Sequence, residues 1–163
     1  LTSAEAGLMM VPMAVAAGLG SPLVGPLADR IKPRLLSVIG FASVIASLVW
    51  IAGIMYLDAS LFWFVGASAL LGVGNAFVWA PNSVTAMRTV DLKYMGAASG
   101  VYNTTRQVGA VVGAAAVGAA MQVGAASLGL SQAMAVSLLL PALVMVAGLI
   151  AVACFENTLG PKR

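Results

Sequence analysis

Five long apolar stretches, separated by short polar interruptions, limit most strongly what this chain can fold into. They cover about residues 6–28, 35–57, 61–85, 96–121 and 132–155. At about 1.5 Å of rise per residue, each is long enough to cross a hydrocarbon core of about 30 Å. The chain is also only 8% charged, whereas soluble domains are about one quarter charged. The sequence therefore predicts an all-α membrane protein with about five transmembrane helices, in a single membrane domain over residues 1–163.

Basic residues follow every second apolar stretch. Seven of the eight Lys and Arg residues lie at 30–34, 88–93 and 162–163, after the first, third and fifth stretches, and the other two interruptions hold none. Since basic loops stay in the cytoplasm, we expect a multi-pass protein of the cell (inner) membrane with a cytoplasmic C-terminus. The net charge of +3 then reflects these loops, so the expected partner is the lipid bilayer and not nucleic acid. An odd number of spans with an external N-terminus is unusual for a complete protein, so we expect part of a longer chain.

The third stretch carries polar and small residues at steps of three and four. A single helical stripe holds Ser68, Gly72, Asn75, Trp79 and Asn82, because residues three and four apart share a helix face. We expect this stripe to face protein or water. The second and fifth stretches have almost no polar residues, and a helix that is apolar all round can face lipid. They are predicted to form an outer layer.

The fourth stretch contains the one charged residue that falls inside an apolar stretch, Arg106. With Tyr102 it lies on one helical stripe, and Asn103 flanks that stripe. An arginine near the middle of a bilayer costs from about 2.5 to more than 10 kcal/mol, so it should face a cavity or a partner. The alternative is that Arg106 snorkels to the cytoplasmic headgroups. On the same helix Gly109 and Gly113 form a small-xxx-small pair, which favours close helix packing.

The sequence lacks the groups of residues that would support catalysis or metal binding. There is no histidine, a single cysteine, Cys154, and no paired carboxylates, phosphate loop or nucleophile beside a base. Such groups are what an active site requires. The sequence predicts neither an enzyme nor a cofactor or metal site.

The interruption after the first stretch reads Gly-Pro-Leu-Ala-Asp-Arg-Ile-Lys-Pro-Arg, residues 25–34. Asp29 at the C-terminal end of a helix faces the negative end of the dipole and needs a partner. The segment resembles the cytoplasmic signature of the major facilitator superfamily, G-x-L-a-D-R-x-G-[RK]-[RK], although Lys32 and Pro33 depart from it. The resemblance implies a conformational latch loop with four members: Gly25, Asp29, Arg30 and Arg34.

Residues 96–109 resemble the penultimate helix of the fourteen-helix drug:proton antiporter branch of that superfamily. The resemblance implies the last five helices of a multidrug efflux antiporter, which moves small molecules across the membrane by alternating access. The two stripes supply the candidate substrate-cavity residues: Asn75, Trp79, Asn82, Tyr102, Asn103 and Arg106. All five acidic residues lie at or beyond the ends of the stretches, so protons would be handled by the part outside this chain. An importer of organic anions and a non-transporting helical subunit remain as alternatives.

Overall fold

A computed structural model describes residues 7–31, 33–60, 62–87 and 89–154, except the side chains at 25, 28–30, 33, 80 and 84. The helices are α1 (Val11–Arg30), α2 (Pro33–Tyr56), α3 (Phe62–Met87), α4 (Met95–Ala125), α5 (Leu130–Ser137) and α6 (Leu139–Cys154), with a short 3-10 helix (Leu92–Tyr94) before α4. The described residues include no strand. The predicted all-α membrane fold is confirmed.

Four segments are long and apolar enough to cross a membrane. They are Arg34–Tyr56, Phe62–Met87, Leu92–Ala125 and Leu130–Cys154, and a shorter apolar segment covers Val11–Val24 of α1. The predicted first span began at residue 6, which lies outside the described residues. By length and composition alone, four of the five predicted spans correspond to segments that could cross a membrane, and the first corresponds to a shorter apolar segment.

The predicted fifth span, 132–155, is divided at Leu138 into α5 and α6. The cause is Pro141, whose ring nitrogen carries no hydrogen and so leaves the Ser137 carbonyl without its helical donor. The neighbouring bonds, Leu138 N to Met134 O and Ala142 N to Leu138 O, are both long at 3.3 Å. The fourth span was predicted over 96–121, but α4 continues to Ala125. Residues 122–125 include no proline that would end the helix earlier.

Helix α3 is the centre of the first half of the bundle, where it packs on both α1 and α2. Both contacts depend on glycine. A Cβ at Gly72 would collide with the Met13 carbonyl of α1, and one at Gly40 of α2 would lie 2.8 Å from the Phe77 carbonyl carbon of α3. Small residues let helix backbones approach this closely in membranes.

Helix α2 packs against other helices on one side and is exposed on the other, so its predicted place in an outer layer stays a prediction. It packs on α3, α5 and α6, with Leu36 and Ser47 fully buried. Only one stripe, which includes Leu35, Ile39 and Val49, is exposed. An apolar helix surface suits lipid and protein neighbours equally, so composition alone could not distinguish them.

Hydrogen bonds join α2 to the α5–α6 pair at both ends. The Arg34 guanidinium at the start of α2 donates to the Ala153 carbonyl at the end of α6. At the other end, the Ser131 hydroxyl donates to the Met55 carbonyl at 2.9 Å and lies 3.5 Å from Asp58 Oδ1. The start of α2 therefore lies beside the end of α6, which is the antiparallel arrangement that the spacing of the basic loops requires.

Candidate functional site

The polar stripe of α3 divides into a packing half and an open half. Ser68 is buried with its hydroxyl donating to the Val65 carbonyl at 3.0 Å, and Gly72 is in contact with the backbone of α1. Asn75 is half-buried, and Trp79 and Asn82 are exposed. The first two residues therefore fit α3 to α1, and the last three carry the polar surface that remains open.

Asn75 fixes the orientation of the Trp79 indole. Its Nδ2 donates to the Leu71 carbonyl at 3.1 Å, and its Oδ1 accepts the indole N–H of Trp79, also at 3.1 Å. Because both residues lie on the same helix, four positions apart, the bond forms without any contribution from another helix. The amide thus satisfies the one hydrogen-bond donor of the indole and leaves its ring face for other contacts.

The Arg106 guanidinium of α4 lies over that ring, with Cζ 5.3 Å from the ring centroid. This cation–π contact joins α4 to α3, two helices that otherwise touch little. Contacts of this kind contribute about 0.5–1 kcal/mol at exposed sites and more when desolvated. We call Trp79 and Arg106 the indole–guanidinium pair.

The pair lies well inside the span. Arg106 is eleven residues after Met95, the first residue of α4, which is about 16 Å along the helix axis. Trp79 is eight residues before Met87, the last residue of α3, or about 12 Å from the same end. Among the described residues, no carboxylate forms an ion pair with Arg106 and no group accepts a hydrogen bond from it. Within the described part of the chain, the Trp79 ring is therefore the one group that holds the guanidinium.

The remaining cavity candidates do not join this pair directly. Asn82 and Asn103 are exposed and Tyr102 is half-buried. None of the three forms a side-chain hydrogen bond or a ring contact within the described part of the chain. Their membership of a common cavity stays a prediction.

Helix α4 packs mainly on α5 and touches α3 and α6 little. None of its residues is buried, and an added Cβ at Gly124 would lie 3.2 Å from the Ala133 Cβ of α5. A Cβ at Gly109 or Gly113 would meet no described atom within 4 Å. The predicted packing role of these two glycines stays a prediction.

The latch loop is described only in part. The side chains of Asp29 and Arg30 lie outside the described residues, and Gly25 lies within α1. The Arg34 guanidinium donates to the Ala153 carbonyl. Terminal carbonyls of a helix lack intrahelical donors and carry the negative end of the dipole, so a guanidinium is a favourable partner there.

The sequence placed Asn75, Trp79 and Arg106 among the cavity candidates but did not indicate how they pair. In the structure the Arg106 guanidinium lies over the Trp79 ring. The spacing of Asn75 and Trp79 could have indicated their bond, but nothing in the sequence links Trp79 to a residue 27 positions away. In the described ranges, no cluster of residues could hold a metal ion.

The comparisons with known proteins identify the family. A family model described as Major Facilitator Superfamily matches residues 1–163. The chain belongs to the major facilitator superfamily. Its membership and its spanning helices make it part of a multi-pass integral membrane protein of a transporter family, not of an enzyme family.

Three relatives show the range of this similarity. The chain is 35% identical over 121 residues to the uncharacterized MFS-type transporter Rv1250 of Mycobacterium tuberculosis, covering 74% of this chain and 21% of that protein. Identity to the multidrug resistance protein Stp of the same species is 31% over 120 residues, covering 74% and 22%. Identity to the lincomycin resistance protein LmrB of Listeria monocytogenes is 30% over 115 residues, covering 71% and 24%. The chain thus spans less than a quarter of the length of these relatives. No solved structure matches it.

Proposed function

We propose that the complete protein exports drugs or other amphipathic small molecules across the cell membrane by proton-coupled alternating access. The observation that carries this proposal is the indole–guanidinium pair, which brings a fixed charge and an aromatic ring together inside the span. Two relatives carry multidrug and lincomycin resistance in their names. Transporters of this kind bind substrate near the bilayer midplane, between two halves that rock against each other.

The position of Arg106 gives an energetic reason to place a substrate pathway beside α4. A charged side chain in the bilayer interior is costly and lies almost always against a water-filled cavity or a partner. Arg106 has no ionic partner among the described residues, and α4 has no buried residue. A substrate pathway along this face of α4 would supply the water and the ligands that the guanidinium needs.

Proton coupling is assigned to the part of the protein outside this chain. Coupling needs a group that titrates within the membrane, for which a carboxylate shifted by burial is the usual choice. The described acidic side chains, Asp58 and Asp91, lie in the loops between helices. Asp91 also forms an exposed ion pair with Lys93 at 3.7 Å. On this proposal the C-terminus is cytoplasmic and the basic loops face the cytoplasm.

Import of organic anions is the second candidate, and Arg106 favours it, because a cation inside the span attracts an anionic substrate. A non-transporting helical subunit is the third candidate from the sequence. The direction and the driving force of transport distinguish the three.

Everted membrane vesicles that contain the complete protein provide the test, with rhodamine 110, an amphipathic fluorescent dye that carries a carboxylate, as the substrate and an imposed acid-inside pH gradient. We expect accumulation of the dye that a protonophore abolishes. Arg106→Ala should lower the initial rate about tenfold, which corresponds to about 1.4 kcal/mol. Trp63→Phe is the matched control, because Trp63 pairs with Trp50 at 6.2 Å, away from Arg106, and it should retain the rate.

Other results would support one of the two other candidate functions or would exclude Arg106 from the substrate pathway. Protonophore-sensitive uptake of an organic anion by intact cells, without dye accumulation in everted vesicles, would establish import. Transport of neither compound would favour a helical subunit. Wild-type rates in Arg106→Ala would remove Arg106 from the pathway.

A further inference from the structure

The Arg106 guanidinium is held in place by a contact that uses none of its hydrogen-bond donors. It lies 5.3 Å from the centroid of the Trp79 ring, and a cation–π contact engages charge and ring face rather than N–H groups. A guanidinium has five N–H donors in a rigid planar fork. Within the described ranges none of them meets an acceptor. The described residues therefore position Arg106 and leave its N–H donors without acceptors among themselves.

The surroundings of this cation favour an anion. Apart from Arg34 in the first turn of α2, no other charged side chain is described within an α-helix. The hydroxyls nearest in sequence on α4 are already used: Thr104 and Thr105 each donate to the carbonyl four residues earlier, at 2.9 Å. A cationic ligand would meet like charge at Arg106, on the ring face where a cation–π contact would otherwise form. An anion would meet unopposed positive charge.

The group that best fits a guanidinium is a carboxylate, because the two parallel oxygens of a carboxylate match two N–H donors of the fork. We propose that the indole–guanidinium pair is a carboxylate-binding subsite of the substrate pathway, and that it selects amphipathic compounds that carry a carboxylate. This proposal rests on the proposed transport function and names its substrate class. A carboxylate also removes the cost of leaving the guanidinium unpaired inside the span.

Asn75 and Trp79 act as positioning residues in this subsite. The Asn75 amide accepts the indole N–H, the indole ring lies under the guanidinium, and the guanidinium receives the ligand. Trp79→Phe keeps a ring but loses the N–H, so the ring is no longer tied to Asn75. We expect this change to weaken the preference for carboxylates without removing the charge that creates it.

Two dyes that differ by one methyl group test the proposal. Rhodamine 110 has a free carboxylate, and rhodamine 123 is its methyl ester. Binding of each to the purified complete protein in detergent is measured by fluorescence anisotropy, without any gradient. We expect the wild type to bind rhodamine 110 about tenfold more tightly, equivalent to about 1.4 kcal/mol. Arg106→Gln should remove that preference while the affinity for rhodamine 123 stays within about twofold.

Two further variants keep the result interpretable. Arg106→Lys retains the charge but not the planar fork, so it should retain only part of the preference. Trp63→Phe, at the Trp50 contact, should retain all of it. Monodisperse elution of each variant in size-exclusion chromatography shows that it is folded.

The proposal is overturned if the wild type binds both dyes equally or binds no rhodamine 110. It is equally overturned if Arg106→Gln keeps the preference, or if it weakens both dyes by the same factor, since Arg106 would then serve the protein itself. Because binding is measured without a gradient, these outcomes are separate from the vesicle assay. A carboxylate preference without proton-driven transport would reject the efflux function and leave the subsite standing.

Discussion

A methyl group added at Gly40 tests the packing that holds α2 against α3. A Cβ at this position would lie 2.8 Å from the Phe77 carbonyl carbon and from the Val78 backbone nitrogen, and 2.9 Å from Val78 Cγ2. Two of these three atoms belong to the backbone of α3, so a side-chain rotation cannot relieve the clash. The helices must move apart, and overpacking of this kind costs about 1–3 kcal/mol.

Gly53→Ala is the matched control, because Gly53 lies on the same helix and a Cβ there would meet no described atom within 4 Å. Alanine favours a helix over glycine by up to about 1 kcal/mol, so this variant should be neutral or slightly stabilised. The free energy of unfolding of Gly40→Ala should therefore be lower than that of Gly53→Ala by about 1–3 kcal/mol or more. The free energy of unfolding is measured in the complete protein by titrating mixed micelles with dodecyl sulfate. Equal stability of the two variants would refute the close α2–α3 contact.

Three other changes have expected outcomes that follow from single contacts. Ser47→Ala should destabilise the complete protein by about 1 kcal/mol in the same titration, because the buried hydroxyl donates to the Ala67 carbonyl at 2.7 Å; an unchanged free energy would contradict that bond. Asp58 has a φ of 47°, so Asp58→Val should cost about 1–2 kcal/mol and Asp58→Gly should be tolerated, and the reverse order would contradict the left-handed turn. Pro141→Ala restores the donor for the Ser137 carbonyl, so hydrogen exchange at residue 141 should be as slow as in the middle of α6; fast exchange there would show that the break has another cause.

Much of the fold follows from hydropathy alone. Runs of apolar residues predicted α2 and α3 to within a few residues at each end, because a bilayer requires every spanning segment to satisfy its backbone internally. The break between α5 and α6 was also present in the sequence as Pro141, although hydropathy averaged over the whole span concealed it. Length and polarity therefore identify spans, and proline identifies where a span is interrupted.

Hydropathy did not indicate which helices pack against each other. Gly40 and Gly109 are both glycines in apolar helices, yet only the first approaches another described backbone. The small-xxx-small pattern selected Gly109 for helix packing. Residue spacing shows which residues share a helix face, but it does not show which helix that face contacts. The same limit applies to Trp79, whose stripe indicated its face but not that Arg106 covers it.

Water access along α4 is the most direct test of a substrate pathway, because it separates an exposed face that meets water from one that meets lipid. Asn103 and Ile39 are both exposed, but only Asn103 belongs to the proposed cavity. In a cysteine-free background, with Cys154→Ser in this chain, a membrane-impermeant methanethiosulfonate reagent is applied to Asn103→Cys and Ile39→Cys in the complete protein. We expect rapid modification of Asn103→Cys that rhodamine 110 slows, and no modification of Ile39→Cys. An Asn103→Cys thiol as unreactive as that of Ile39→Cys, or a rate that rhodamine 110 does not change, would contradict a substrate pathway along this helix.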